Sequence, residues 1–190
     1  MIGLAAAPAF AATWTVKPGG AVTATAGTTT ISTGGNSVTC TSSVMKGTLK
    51  KGSGLAGAGL GTMTSLAFKN CTIAGITVSA TITGTMPLNG VKYSATTKTA
   101  SMTLTKIHGK ISVASLGCSA VVDGTSATAH NGMVSGKFSN GTDTLTVLTT
   151  GGNLHLYHPS SGCAGVISNG QAVNFTGKYK FAPKTTITSP

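Results

Sequence analysis

The chain is 190 residues long and carries a formal net charge of +11, because thirteen Lys are balanced by two Asp, with no Glu and no Arg. Acid–base catalysis and hard-metal sites usually need several carboxylates, so this composition predicts a protein that is not an enzyme and uses no cofactor. The absence of Arg also argues against sequence-specific recognition of nucleic acid, which relies on the forked guanidinium group.

The first residues predict export from the cell. A run of small apolar residues ends in Ala9-Phe10-Ala11, the pattern that signal peptidases cleave, although the positively charged start of a complete signal is missing. We therefore expect residues 1–11 to be a signal-peptide remnant and residues 12–190 to form a single β domain, secreted or associated with the cell wall. The alternative is that the run forms an N-terminal strand or helix. No other segment approaches the roughly 18 consecutive apolar residues of a membrane span.

Trp14, the only tryptophan, follows the predicted cleavage site. Two interpretations of this residue are open. Its side chain either anchors an N-terminal strand in the core, or it is presented on a free strand that a protein partner pairs with by strand addition.

Alternation of apolar and hydroxyl residues is the recurring local pattern. In residues 76–83 the apolar side chains fall on one face and the Thr and Ser side chains on the other, which predicts a half-buried strand. Similar patterns predict strands, in chain order, at residues 22–26, 37–44, 65–71, 76–83, 92–96, 100–105, 110–114, 119–122, 133–139, 144–150, 153–157 and 171–181. Pairs such as Asn-Gly, Asp-Gly and Gly-Gly separate many of these strands as turn signals.

Strands of this length and spacing predict an all-β fold, either an antiparallel β-sandwich or a partly closed barrel. Gly151 and Gly152 lie between two alternating segments and predict a hairpin turn that pairs residues 144–150 with residues 153–157. No window shows convincing 3.6-residue periodicity, so helices are not expected.

The four cysteines are expected to form two disulfides, because an even number of cysteines in an exported chain normally pairs. Of the three possible connectivities we favour Cys40–Cys71 and Cys118–Cys163, which give one bridge in each half of the chain. Each bridge would remove denatured-state entropy worth about 3.5–4 kcal/mol. A zinc site is not favoured, because the chain has no Cys-x-x-Cys pair.

Several short motifs resemble those of a group of small exported actinobacterial proteins of no assigned function. These motifs are residues 14–20, 40–42, 70–71, 87–89, 162–165 and 175–179. The resemblance spans nearly all of the predicted mature chain. It implies secretion, a β-rich domain and paired cysteines, and it implies nothing about chemistry.

The four histidines offer few arrangements for metal binding. His155 and His158 are three residues apart, so on a strand they point to opposite faces and cannot hold one ion unless the chain bends. His108 and His130 complete a conceivable three-histidine site. Because so few acids are available to orient the ligands, we favour surface imidazoles with no shared role and predict no metal site.

The two aspartates are expected to be turn residues whose side chains accept hydrogen bonds from nearby backbone amides. A Ser-His-Asp triad would need Asp123 or Asp143 beside a histidine, and the chain has no Gly-x-Ser-x-Gly elbow to present a serine. Glycoside hydrolysis would need both aspartates to converge on one sugar. We therefore predict no catalytic residue.

The lysines are the predicted binding residues. The candidates are Lys46, Lys50, Lys51, Lys106, Lys110, Lys178 and Lys180. Such lysines attract anionic partners outside the cell, for example a phosphate-rich wall polymer, an acidic glycan, an anionic lipid headgroup or extracellular nucleic acid. The alternative is a solvated face that keeps an otherwise uncharged protein soluble.

These observations favour a secreted, non-enzymatic β domain that binds an anionic extracellular or cell-wall surface through lysine patches. The alternative function is a structural or assembly subunit of a cell-surface or secreted complex, because hydroxyl-rich strands contact other proteins as readily as water. A third and minor hypothesis is an enzyme that uses histidine and serine alone.

Overall fold

A computed structural model describes residues 13–190, so the predicted signal-peptide remnant and its cleavage site lie outside the described residues. The structure is 64% strand and 3% helix. The strands are β1 (Trp14–Lys17), β2 (Gly20–Ala26), β3 (Thr29–Thr33), β4 (Asn36–Leu49), β5 (Gly52–Leu55), β6 (Gly61–Ile73), β7 (Ile76–Thr83), β8 (Met86–Ser94), β9 (Thr99–Val113), β10 (Cys118–Asp123), β11 (Gly132–Ser139), β12 (Thr144–Val147), β13 (His155–Tyr157), β14 (Gln171–Ala172), β15 (Asn174–Ala182) and β16 (Thr186–Thr188). Two short 3₁₀ turns span Ala114–Leu116 and Ser161–Cys163.

The predicted antiparallel all-β class is confirmed, and its form is a closed eight-stranded barrel with extra strands. Three of the eight wall strands, β4, β6 and β9, are continuous. Each of the other five consists of two short strands that lie end to end, namely β2 with β3, β7 with β8, β10 with β11, β12 with β13 and β14 with β15. Each wall strand pairs with the next one in the chain, and β15 closes the barrel by pairing with β2 and β3. The topology is therefore an up-and-down meander, in which closure satisfies the edges of the sheet.

Alternation along each wall strand places apolar side chains inside the barrel. On β15, Tyr179 and Phe181 are buried, whereas Lys178 and Lys180 are exposed. The Tyr179 hydroxyl lies 2.7 Å from the Ser43 Oγ inside the core. Burial raises the pKa of the Tyr179 phenol, so the group stays neutral there. The interior keeps an apolar cavity of about 100 Å³.

The interruptions divide the barrel into two halves. The capped half contains β2, β8, β11, β12 and most of β15, together with the parts of β4, β6 and β9 that face them. The disulfide half contains β3, β7, β10, β13 and β14, together with the remaining parts of the same three long strands.

Two predicted local structures are wrong. Gly151 and Gly152 do not form a hairpin turn, because β12 and β13 lie end to end in one wall strand; β12 pairs with β11 and β15, and β13 pairs with β10 and β14. The predicted strands at residues 100–105 and 110–114 form one strand, β9. A bulge at Lys106, where φ is +59°, resets its alternation. In the sequence, a hairpin turn, a break within one wall strand and a bulge all interrupt the alternation in the same way.

A separate three-stranded sheet, in the order β16–β1–β5, closes the end of the capped half. Its strands continue directly into or out of wall strands at that end, and Trp14, Val16 and Ile187 belong to the barrel core with at most 2% of their surface exposed. The indole of Trp14 packs on Gly90 of β8, where an added Cβ would lie 2.7 Å from the ring. Glycine at this position lets the cap approach the wall.

The position of Trp14 corrects the expectation of a protein partner on the N-terminal strand. β1 is paired with β16 on one edge and with β5 on the other, and the Trp14 side chain is buried. Strand addition there would require a strand of the cap to leave. The side-chain amide of Asn140 holds β16 as well, since it exchanges hydrogen bonds of 2.9 and 2.8 Å with the backbone of Ile187.

Both predicted disulfides are confirmed, and both lie in the disulfide half. Cys40–Cys71 joins β4 to β6, and Cys118–Cys163 joins β10 to the segment between β13 and β14. Two disulfides are compatible with an extracellular location.

Within residues 13–190, no helix has the length and apolar character needed to cross a membrane.

Candidate functional sites on the barrel wall

A polar cluster lies on the outer face of the wall in the disulfide half. We call it the histidine cluster, and it consists of His108, Asp123 and His130. The bulge at Lys106 reverses the alternation of β9, so that His108 points outward. Asp123 ends β10, and the chain then leaves the wall for residues 124–131 before β11 begins. These eight residues wrap around the Asp123 carboxylate.

Asp123 is fully buried, and its carboxylate accepts four hydrogen bonds. Oδ1 accepts the backbone N–H groups of Gly124 at 2.6 Å and Asn131 at 3.2 Å. Oδ2 accepts the backbone N–H of His130 at 3.1 Å and lies 2.8 Å from the Nδ1 of His108. Burial acts to raise the pKa of Asp123, but the four hydrogen bonds outweigh it and hold the pKa below its usual value of 3.8.

This carboxylate fixes the tautomer of His108. An ionised carboxylate only accepts hydrogen bonds, so the Nδ1 of His108 carries the proton in the bond to Asp123. The Nε2 atom of the neutral ring is then left with its lone pair.

The same carboxylate oxygen brings His130 over His108. The two imidazole rings are stacked, with centroids 4.0 Å apart and an angle of 29° between the planes. His130 has a φ of +48°, a left-handed conformation that residues other than glycine rarely adopt. The His108 ring is half-buried and the His130 ring is exposed, so the stacked pair is open to solvent. One potential ligand atom from each member of the cluster lies within 4.8 Å of the others.

The other two histidines stand outside the cluster. His155 lies across from Asp123 in the β10–β13 pairing, but its Nδ1 lies 3.1 and 2.8 Å from the backbone carbonyls of Gly124 and Asn153. His158 follows the end of β13, and its backbone N–H is bound by the side chain of Asn169. His155 thus lies on β13, whereas His158 lies beyond the end of that strand.

Asp143, the second acidic residue of the chain, is buried in the turn between β11 and β12. Its Oδ1 accepts the backbone N–H of Thr185 at 3.2 Å, which fixes the segment that leads to β16. Both aspartates thus accept hydrogen bonds from backbone amides, as predicted. They share no hydrogen-bond partner, and they lie in different halves of the barrel.

The histidine cluster can hold a proton or a metal ion, but it does not form a nucleophilic triad. Among residues 13–190, no hydroxyl or thiol side chain is hydrogen-bonded to the ring of His108 or His130. Nucleophilic catalysis needs such a group within reach of the base.

The lysines are distributed unevenly between the two halves. Ten of the thirteen lie in the capped half, in its cap or in the turns at that end: Lys17, Lys46, Lys50, Lys51, Lys92, Lys98, Lys137, Lys178, Lys180 and Lys184. Of the seven predicted binding lysines, five are in this group. Lys110 is in the disulfide half, and Lys106 is at the bulge between the halves.

Three of these lysines occupy one register row, which we call the lysine row. Strand pairing places Lys92 opposite Ser101, Ser101 opposite Lys137, Lys137 opposite Thr146 and Thr146 opposite Lys178. Residues directly opposite each other point to the same face of a sheet. All three lysines are exposed on the outer face, on every second wall strand, about 10 Å from one another.

Sequence reasoning missed Lys92 and Lys137, and it favoured no shared role for His108 and His130. Alternation in residues 133–139 already indicated the outward direction of Lys137, because Phe138 beside it is apolar. The row itself depends on register between strands that are distant in sequence. The histidine cluster depends on a bulge and on an excursion of the chain, for which the sequence carries no comparable signal.

Comparison of the chain with models of protein families, with curated proteins and with solved structures gave no match. The resemblance to exported actinobacterial proteins stays a prediction.

Proposed function

We propose that the protein is a secreted or wall-associated binding module without catalytic activity, which holds an anionic extracellular polymer on its capped half. One observation carries the proposal: ten of the thirteen lysines lie in that half. The carboxylate there, Asp143, is buried and accepts a hydrogen bond from the backbone of Thr185. Ten lysines thus outnumber one acidic side chain in this half, so its surface is strongly positive and attracts polyanions.

The arrangement of the lysines favours a flexible polymer as the ligand. In a closed barrel of eight strands, outward side chains on every second strand point about a quarter turn apart. The lysine row therefore extends about halfway around the barrel, where a flat membrane would touch only part of it. A long polymer can follow the row.

The wall around the row offers additional hydrogen-bond donors. Ser101 and Thr146 stand between the lysines. A shallow groove beside Lys178 is lined by Gly27, Thr28 and Thr176. Hydroxyl groups donate to phosphate, sulfate or carboxylate oxygens, and the lysines supply a point charge at each step along the polymer.

The proposal is tested by retention on immobilised polyphosphate and on heparin at increasing salt. The test variant is Lys92→Gln/Lys137→Gln/Lys178→Gln, and the matched control is Lys69→Gln/Lys106→Gln/Lys110→Gln, which removes the same charge outside the capped half. We expect the row variant to elute at lower salt than the control. The slope of log affinity against log salt should fall by about 1 for each lysine lost from the contact.

Two results would reject the proposal. Equal loss of retention in the row variant and the control would mean that only net charge matters. Elution of the wild-type protein that is independent of salt would mean that the contact is not electrostatic. If the secreted protein instead runs as a large assembly with no affinity for either polymer, the alternative of a structural subunit is favoured.

A further inference from the structure

We propose that the histidine cluster binds one divalent transition ion of the imidazole-preferring class, such as Zn²⁺ or Cu²⁺. His108 and His130 are the ligands, and Asp123 is the positioning residue. This site is on a different part of the wall from the lysine row, and the inference is independent of polymer binding.

The Asp123–His108 pair has the arrangement that supports histidine ligands in metal sites. A histidine ligand normally donates its second ring N–H to a carboxylate or carbonyl, which fixes the ring and increases the basicity of the ligating nitrogen. Here the Nδ1 of His108 lies 2.8 Å from Asp123 Oδ2. The Nε2 atom is the one available for an ion, and the carboxylate is already saturated by its other three donors.

The segment of residues 124–131 brings the second ligand to the first. The backbone N–H of His130 binds the same Oδ2 atom that binds His108, so a single carboxylate positions both histidines. The left-handed backbone of His130, at φ +48°, is a conformation that tends to persist at functional sites.

The rings must reorient to hold one ion, and the exposed His130 is the one free to do so. Two nitrogens bound to one tetrahedral zinc lie about 3.3 Å apart, given metal–nitrogen bonds of about 2.0–2.1 Å. One potential ligand atom of each ring lies within 4.8 Å of the other, but the rings are stacked with 29° between their planes, so their in-plane lone pairs are nearly parallel. Rotation of the His130 ring out of the stack would bring its nitrogen toward the Nε2 of His108. Water molecules would complete the coordination.

The type of ligand selects the class of ion. Ca²⁺ and Mg²⁺ need several oxygen ligands, whereas the only carboxylate of the cluster, Asp123, is occupied by four hydrogen bonds, and Lys106 and Lys110 beside His108 supply no anionic group. Imidazole nitrogens instead favour Zn²⁺, Cu²⁺ and Ni²⁺. The buried carboxylate of Asp123 offsets part of the lysine charge.

The test is titration of the metal-free full chain with ZnCl₂ in a calorimeter at neutral pH, with CaCl₂ as the comparison ion. The test variant is His130→Asn. The matched control is His158→Asn, because His158 has nearly the same left-handed backbone, with φ of +50°, and lies outside the cluster. Asn tolerates this conformation, so both variants should fold.

We expect one zinc ion per wild-type chain and no saturable calcium binding. His130→Asn should weaken zinc binding at least tenfold, and His158→Asn should leave it unchanged. Equal zinc affinity in the wild type and His130→Asn, or no saturable zinc binding by the wild type, would overturn the proposal.

A second measurement does not depend on any variant. A trace of Cu²⁺ broadens the NMR signals of the imidazole rings that bind it. The ring signals of His108 and His130 should disappear before those of His155 and His158. Simultaneous loss of all four, or earlier loss of His155 or His158, would overturn the assignment.

Discussion

The two halves of the barrel are held together by different means. At the capped end, a three-stranded sheet inserts Trp14, Val16 and Ile187 into the core without a covalent link. In the disulfide half, two covalent bridges fasten β4 to β6 and β10 to the segment after β13. The cap relies on close packing, since Gly90 lies directly under the indole of Trp14. The Cys40–Cys71 bridge reinforces two strands that are already paired, because the two cysteines lie opposite each other in the β4–β6 ladder.

The two halves also differ in how they handle charge. The capped half presents ten lysines to solvent with its carboxylate buried. In the disulfide half, a buried carboxylate organises two imidazoles. The net charge of +11 is therefore not spread evenly over the molecule. Most of the lysines lie in the capped half, whereas the disulfide half carries the histidine cluster. Both aspartates are buried, but Asp123 accepts four hydrogen bonds, whereas Asp143 accepts one, from the backbone of Thr185.

Removal of the Cys118–Cys163 bridge should have the largest effect on stability. We expect Cys118→Ala/Cys163→Ala to lower the free energy of unfolding by about 4 kcal/mol, because the bridge closes a loop of 45 residues. Cys40→Ala/Cys71→Ala should cost slightly less, since its loop spans 31 residues. Urea denaturation measures both. If polymer binding belongs to the capped half alone, the folded Cys118→Ala/Cys163→Ala variant should be retained on polyphosphate as strongly as the wild type. Loss of retention would show that the two halves are not separate in function.

Replacement of the carboxylate at the histidine cluster should have the next largest effect. Asp123→Asn should lower the free energy of unfolding by about 1.5–3 kcal/mol at neutral pH, because strong hydrogen bonds to a charged acceptor are lost. The pKa of Asp123 in the native state lies below its unfolded value, so its contribution is fully present above about pH 5 and is lost as the pH falls through the native pKa. Urea denaturation at a series of pH values, with chelator present, should show the two proteins converging in acid. A difference that is constant with pH would contradict this account.

Crowding of the cap should have the smallest effect. In Gly90→Ala the new Cβ would lie 2.7 Å from the Trp14 ring and 2.8 Å from Leu60, so the variant should lose about 1–3 kcal/mol of unfolding free energy. Gly27→Ala is the matched control, because nothing lies within 4 Å of the added atom. Tryptophan fluorescence during denaturation reports on the cap directly. Equal stability of the two variants would show that the indole does not rest tightly on β8.

The sequence by itself predicted the antiparallel β class, many of the wall strands and the favoured disulfide pairing, but not β1, β3, β5 or β16. Alternation depends only on neighbouring residues, so it revealed the half-buried strand at residues 76–83 and the outward direction of Lys178 and Lys180. The disulfide pairing followed from the even number of cysteines and the preference for one bridge in each half of the chain.

Only the tertiary structure decided which outward residues become neighbours. The lysine row requires the register of four strand pairings, and a shift of one residue in any of them would turn a lysine away from the row. The histidine cluster requires a bulge in β9 and an excursion after Asp123. Such features are set by contacts between segments distant in the chain, because pairing and closure of the barrel select among local patterns that are equally acceptable by themselves.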